Sequence, residues 1–257
     1  MSTLWDGTYT ALVTPFTADG ELDHDSLCDL VDWQLQSGVD GIVPCGTTGE
    51  ASTMTNDEHT GVIESVVARV NGQAKVLAGV GGNDTRNVTI LASRALEMGA
   101  DGVLAVAPYY NKPSQEGLFQ HFKKIARATR LPIILYSIPG RCNIAIEVPT
   151  VLRLAKACKN IVGIKEAGGD ADRVSQLRAA LGQRFGRCRG VDAPVRQPGQ
   201  HQQQRRHVRA QRPRAAMVRR PRRGPDGGSA FTRSRAARCG GAVSYTHLRA
   251  HETRHDL

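Results

Sequence analysis

The sequence predicts an α/β protein of the TIM (β/α)8-barrel class, with about six β-α units readable along 257 residues. Three observations carry this reading. Short apolar runs alternate with amphipathic stretches six times. The runs are apolar at successive positions, as in parallel strands covered on both faces. The side chains suited to chemistry fall at the C-terminal ends of several different runs, the face on which barrels build their sites. Periodicity alone leaves a doubly wound open sheet as an alternative. It is the third observation that favours the barrel.

The units follow in order. A strand over residues 8–13 precedes a helix over 25–37, which stops at Gly38. The second unit joins a strand over 41–44 to a helix over 55–70, with Thr55 and Glu58 spaced as a capping box and Gly72 past its end. A third strand over 75–80 leads to a helix over 84–98 that Gly99 terminates. The fourth pairs 102–107 with 114–129, where Ser114 is the expected N-cap. The fifth pairs 132–136 with 149–157, and a sixth strand spans 161–165. Val39-Asp40-Gly41-Ile42 and Ala100-Asp101-Gly102-Val103 lead into the second and fourth strands, which suggests similarly built units. Gly79-Val80-Gly81-Gly82-Asn83-Asp84 lacks the spacing of a nucleotide loop and reads as a turn.

The net charge of +10 invites a nucleic-acid reading until it is divided along the chain. The 34 basic residues split 16 to 18 about residue 182, and the 24 acidic ones 20 to 4. Residues 1–182 therefore carry −4 and the remainder +14. Two domains are expected: a barrel region over 1–186 and an aberrant, arginine-rich, disordered tail over 187–257.

The tail has no hydrophobic period and few large aliphatics. A basic arm for nucleic acid, a low-complexity linker and a coding region read out of frame all fit that composition. The out-of-frame reading is favoured. His201-Gln202-Gln203-Gln204-Arg205-Arg206 can be encoded so that a one-base shift reads Ile-Ser-Ser-Asn-Val-Ala, suited to a seventh strand. Six strands alone would leave two sheet edges unpaired, so the chain as written is expected to be unstable or inactive.

The six cysteines form no Cys-x-x-Cys and no His-Cys cluster at metal-ligand spacing, so neither a metal nor another cofactor is expected. Free thiols fit a reducing compartment. The first ten residues lack the pattern of a signal peptide, and no apolar run approaches the ~20 residues of a membrane span. Cytoplasmic location, with no membrane or nucleic-acid partner, is the expectation.

The candidate reactive groups are Thr47 and Thr48, Tyr109 and Tyr110, Tyr136, and Lys165, each at or just past a strand end. Lys165 is the sharpest. An amine at the end of an apolar strand is pushed toward its neutral form by burial, and a neutral amine can attack a ketone. The competing reading pairs it with Glu166. The threonines could equally form a tight turn with Thr48 as a helix cap, and the tyrosines could be packing residues. Arg141 is turned outward by Pro139-Gly140, as either an anion-binding or a solvated side chain. His59, His121 and Asn83 read as surface or capping residues.

Four motifs then stand together: Gly46-Thr47-Thr48-Gly49-Glu50, Pro108-Tyr109-Tyr110-Asn111-Lys112-Pro113, Leu135-Tyr136-Ser137-Ile138-Pro139-Gly140-Arg141 and Gly163-Ile164-Lys165-Glu166-Ala167. In order and spacing they resemble the dihydrodipicolinate synthase family of pyruvate-dependent Schiff-base aldolases, over about residues 4–185. The resemblance implies a lyase of lysine (diaminopimelate) biosynthesis. It would condense pyruvate with aspartate 4-semialdehyde to 4-hydroxy-tetrahydrodipicolinate, without a cofactor.

Lys165 would then form the Schiff base and Tyr136 would shuttle the proton. Thr47 would hold that phenol, and Tyr110 would extend the relay across a subunit interface. Thr48 would bind the pyruvate carboxylate and Arg141 that of the semialdehyde, for which a guanidinium fork is suited. A homodimer or homotetramer is implied. Ser137 and Cys142-Asn143 depart from the family's more usual Asn and Thr-Gly. N-acetylneuraminate lyase or keto-deoxy sugar acid aldolase chemistry is the alternative within the same mechanism. An inactive fragment with a nucleic-acid-binding tail is the alternative outside it.

Overall fold

The computed structural model describes residue 5 and residues 7–181. The elements run β1 (Tyr9–Ala11), α1 (His24–Gln36), β2 (Gly41–Val43), two 3-10 turns (Thr47–Gly49 and Ala51–Thr53), α2 (Asn56–Val70), β3 (Lys75–Gly79) and α3 (Thr85–Glu97). They continue with β4 (Gly102–Val106), α4 (Gln115–Ala128), β5 (Ile133–Ser137), α5 (Pro139–Cys142), α6 (Val148–Ala157), β6 (Ile161–Glu166) and α7 (Ala171–Leu181).

All five strand pairings are parallel, and the spatial order is the chain order, β1 to β6. A doubly wound sheet reverses its strand order at a switch point. This sheet never reverses, so it is the singly wound, curled sheet of a β/α barrel, with six of its units present. β1 and β6 form its edges among the described residues. The expected seventh strand and the arginine-rich tail lie outside the described residues.

The caps read from sequence are present. Thr55 accepts from Glu58 N while the Glu58 carboxylate accepts from Thr55 N, the reciprocal pair that satisfies two helix-end donors. Ser114 accepts from Gly117 N at the start of α4. The buried side chains of β2 to β5 pack against the inner faces of the helices in one continuous core, with Ile42, Ala78, Val103, Ile133, Ile134 and Leu135 fully enclosed.

The Asp-Gly repeat has a physical cause. Asp40 accepts from Thr8 N at 2.6 Å, and Asp101 accepts from Val76 N at 2.9 Å, so each carboxylate fastens the start of the preceding strand. Each following glycine makes room for an aromatic ring. A Cβ on Gly41 would lie 2.2 Å from the Tyr9 ring, and one on Gly102 would lie 2.4 Å from the Trp5 ring. These two rings pack together at 5.6 Å.

Two expectations are corrected. His59 and His121 are not surface or capping residues; both are 4% exposed. Each sits on the inward face of its helix, His59 bonded to the Gly79 backbone and His121 Nδ1 lying 2.8 Å from Thr85 Oγ1. Their helical phase sets them among the buried residues of α2 and α4. Residues 139–142 close a helical turn, with Pro139 at the first-turn position where its missing N–H costs nothing.

Candidate active site

Lys165 and Tyr136 are direct partners in the parallel β5–β6 register, each one residue short of its strand's end. Identical strand phase sends both side chains to the same face of the sheet. The Lys165 Nζ lies 4.4 Å from the centre of the Tyr136 ring. Lys165 is half-buried, and burial pushes its amine below the ordinary lysine range. Glu166 does not pair with it. The Glu166 Oε2 accepts from Arg173 Nε at 2.6 Å, and its Oε1 accepts from Gly168 N at 2.9 Å.

Tyr136 is 4% exposed, and burial pushes its phenol up. A hydrogen bond with the Thr47 side chain and the positive charge of Arg141 both pull it back down. Two strand ends thus meet at one phenol: Thr47 from the turn after β2, and Tyr136 on β5 with Arg141 from the helix that follows it. Thr48 lies beside Thr47 in the same 3-10 turn, with no side-chain cap at its start, so the helix-capping reading of Thr48 falls away.

That turn is held rigidly. Thr14 Oγ1 donates to Gly49 O at 2.7 Å from beyond the end of β1. Cys45 and Glu50 bracket the turn in left-handed conformations, φ 53° and 56°. The Cys45 thiol donates to His59 O at 3.6 Å.

Tyr109 and Tyr110 diverge. Tyr109 is half-buried against the core, and burial raises its phenol. Tyr110 has φ 69° and is 88% exposed, so the fold does not bring it into the Lys165–Tyr136–Thr47–Arg141 group. The two departures near Arg141 are accommodated. Asn143 ends α5 at φ 61°, a left-handed position where asparagine is the usual substitute for glycine. Cys142 Sγ donates to Ala107 O at 3.2 Å, as a threonine hydroxyl would. Ser137, 0% exposed, accepts from Ile146 N at 3.4 Å.

Arg173 is the residue that sequence inspection missed. It donates from Nε to Glu166 and from Nη2 to Ile146 O, joining β6 to the loop before α6. The only signal was its place seven residues after Glu166, at the start of a helix that was not foreseen. No group of three His, Cys, Asp or Glu side chains placed to hold a metal occurs among the described residues.

Comparison with known proteins agrees with this geometry. The model of the dihydrodipicolinate synthetase family matches residues 5–198. The 4-hydroxy-tetrahydrodipicolinate synthase of Rhizobium meliloti is 48% identical over 189 residues, 74% of this chain and 64% of that protein. The Aquifex aeolicus synthase is 45% identical over 190 residues, with 74% and 64% covered. The crystal structure of dihydrodipicolinate synthase from Aquifex aeolicus superposes with a TM-score of 0.69 at 46% identity, covering 70% of this chain and 61% of that one. The synthase of Methylacidiphilum fumariolicum SolV gives 0.69 at 50% identity, covering 70% and 60%. The chain therefore spans somewhat under two thirds of these relatives' lengths. With the motif-bearing ends of β2, β5 and β6 converging and a family match across three quarters of the sequence, this chain belongs to the dihydrodipicolinate synthetase family.

Proposed function

We propose that the chain is built for the synthase reaction of its relatives: condensation of pyruvate with aspartate 4-semialdehyde through a Schiff base on Lys165, yielding 4-hydroxy-tetrahydrodipicolinate. The observation that carries this is the Lys165 amine, half-buried, without a carboxylate partner among the described residues and 4.4 Å from the Tyr136 ring. The neutral amine adds to the pyruvate ketone, and loss of water leaves an iminium. That iminium accepts the electron pair when the methyl group loses a proton. The resulting enamine forms the new carbon–carbon bond at the aldehyde. Ring closure by the semialdehyde's amine then displaces the lysine.

Each proton in this sequence needs a carrier beside the imine. The Tyr136 phenol has that position, and Thr47 orients it. Thr48 and the backbone of its turn take the pyruvate carboxylate. Arg141 takes the carboxylate of the semialdehyde, and its charge favours a small anionic aldehyde over a neutral sugar. The 88% exposed Tyr110 supports a subunit contact at that loop, in a homodimer or homotetramer. No helix among the described residues is long and apolar enough to cross a membrane, and a cytoplasmic setting suits the free thiols of Cys28, Cys45, Cys142 and Cys158.

The test is reductive trapping. The chain is incubated with pyruvate and borohydride, digested, and the peptides weighed. A 1-carboxyethyl group on Lys165 is expected. Its absence, or its appearance on other lysines alone, would overturn the reading.

A further inference from the structure

We propose that Arg173 is a positioning residue of the active site: by holding Glu166 in a buried ion pair, it withholds from Lys165 the one carboxylate close enough in sequence to neutralise it. The inference deepens the Schiff-base reading, on which its purpose rests.

Glu166 immediately follows the nucleophile on β6, so its side chain leaves the opposite face of the sheet from Lys165. There its carboxylate is fully used. One oxygen takes the Arg173 Nε at 2.6 Å and the other takes Gly168 N at 2.9 Å. The side chains of Arg173 and Glu166 are 16% and 4% exposed, whereas the other three ion pairs among the described residues have partners 28% to 57% exposed. Gly168 belongs to the same seat, since a Cβ there would lie 2.8 Å from Glu166 Oε1. Arg173 also donates to Ile146 O and so closes β6 against the loop before α6.

The groups facing Lys165 show why this matters. From β5 comes the Tyr136 phenol, and behind it stand Thr47, Arg141 and Cys142. On the other face of the sheet, α7 contributes Arg173, bonded to Glu166. From α6, which packs on β6, the charged Arg153 is turned away to pair with Glu116. Asp170, Asp172 and Glu147 lie near this strand end but are exposed, so among the described residues Glu166 is the enclosed carboxylate here, and Arg173 is the guanidinium paired with it. If Arg173 were neutral, the field of an unopposed carboxylate one residue away would favour the Lys165 ammonium, which is not a nucleophile. If Glu166 were neutral, the unopposed guanidinium would disfavour that ammonium. A purely structural bracket predicts no such opposition of signs.

The test measures the Lys165 amine directly, on the full chain, by competitive acetylation with acetic anhydride across pH and peptide-level mass analysis. Arg173→Gln is expected to raise the Lys165 midpoint by about one pH unit, a tenfold loss of neutral amine at a fixed pH below it. Glu166→Gln is expected to lower the midpoint. The Glu166→Gln/Arg173→Gln double variant should return it to the parent value, and Arg173→Lys should leave it there.

An unchanged or lowered midpoint in Arg173→Gln, or a double variant that keeps the shift, overturns the inference. Should Arg173→Gln fail to fold, Glu166→Gln decides alone, and no downward shift overturns it. Pyruvate trapping on the same samples is independent. A parent chain that is never trapped retires the Schiff-base reading, while the labelling result still stands or falls on its own.

Discussion

The Lys165 amine nitrogen sits 4.4 Å from the centre of the Tyr136 ring, the two residues being paired across neighbouring parallel strands. Two effects compete there. The ring face attracts an ammonium by about 0.5–2 kcal/mol at a partly buried site. Burial disfavours it, by up to about 4 kcal/mol or more for a fully enclosed amine. Burial prevails, and the amine is shifted toward its neutral form.

Pyruvate trapping should therefore rise with pH through a midpoint below the ~10.4 of a free lysine. Between the folded and unfolded values of this amine, the unfolded chain binds the additional proton, so stability rises with pH through that window. Lys165→Met should abolish trapping and flatten that part of the stability curve. The checks are mass analysis after borohydride and denaturant midpoints from pH 6 to 10. A parent midpoint at the free-lysine value would show that the pocket does not desolvate the amine.

A side-chain hydrogen bond joins Tyr136 to Thr47. Tyr136→Phe should slow imine formation by about 10²–10⁴-fold, the usual range for losing a positioned proton carrier, without preventing slow trapping. Thr47→Val removes a hydrogen bond that pulls the phenol down. The limb of the pH–rate profile belonging to that phenol should then move to higher pH. Rapid-quench trapping across pH measures both, and a Thr47→Val limb that stays in place would separate Thr47 from the relay.

Most of this arrangement was legible in the sequence because it rests on strand phase. Runs such as Ile133–Leu135 are apolar on every residue, and Tyr136 follows directly. What escaped the sequence depended on contacts between distant elements. His121 reads as a polar residue on a helix, and only the seating of α4 against α3 buries it. Glu166 reads as a natural partner for Lys165, and only α7 supplies the arginine that takes it. Tyr110 reads as one of a tyrosine pair, yet the left-handed backbone at that position turns its ring into solvent while Tyr109 packs inward.

His121 gives the fold an acid sensitivity. Burial lowers its imidazole to about 4, and its Nε2 is buried without a partner among the described residues. From the ordinary ~6.5 down to that value, the unfolded chain takes up a proton that the folded chain refuses. Stability is thus full above about pH 6.5 and lost as pH falls, by about 3 kcal/mol once pH is below the folded value. His59, lowered by the same cause, adds to the loss. Urea unfolding at pH 7 and 4.5 should show the fall, and His121→Gln should reduce it. An equal fall in both chains would place the sensitivity elsewhere.

Gly79 ties the sheet to the site. A Cβ at this position would lie 2.1 Å from Cys45 O and 2.9 Å from Gly46 N, both backbone atoms of the turn that carries Thr47. The two backbones are already joined by the Gly79 N–H donating to Pro44 O at 3.0 Å, so neither can withdraw freely. Gly79→Ala must therefore push the Cys45–Gly46 segment off β3 and carry Thr47 away from Tyr136. Overpacking of this kind costs about 1–3 kcal/mol. The diagnostic feature is the coupling: Gly79→Ala should both lower the urea midpoint and move the phenol limb of the trapping profile upward, as Thr47→Val does. Gly140→Ala, where a Cβ meets nothing within 4 Å, is the control and should do neither harm. If Gly79→Ala lowers stability and leaves the phenol limb unmoved, the Thr47 turn is positioned independently of β3.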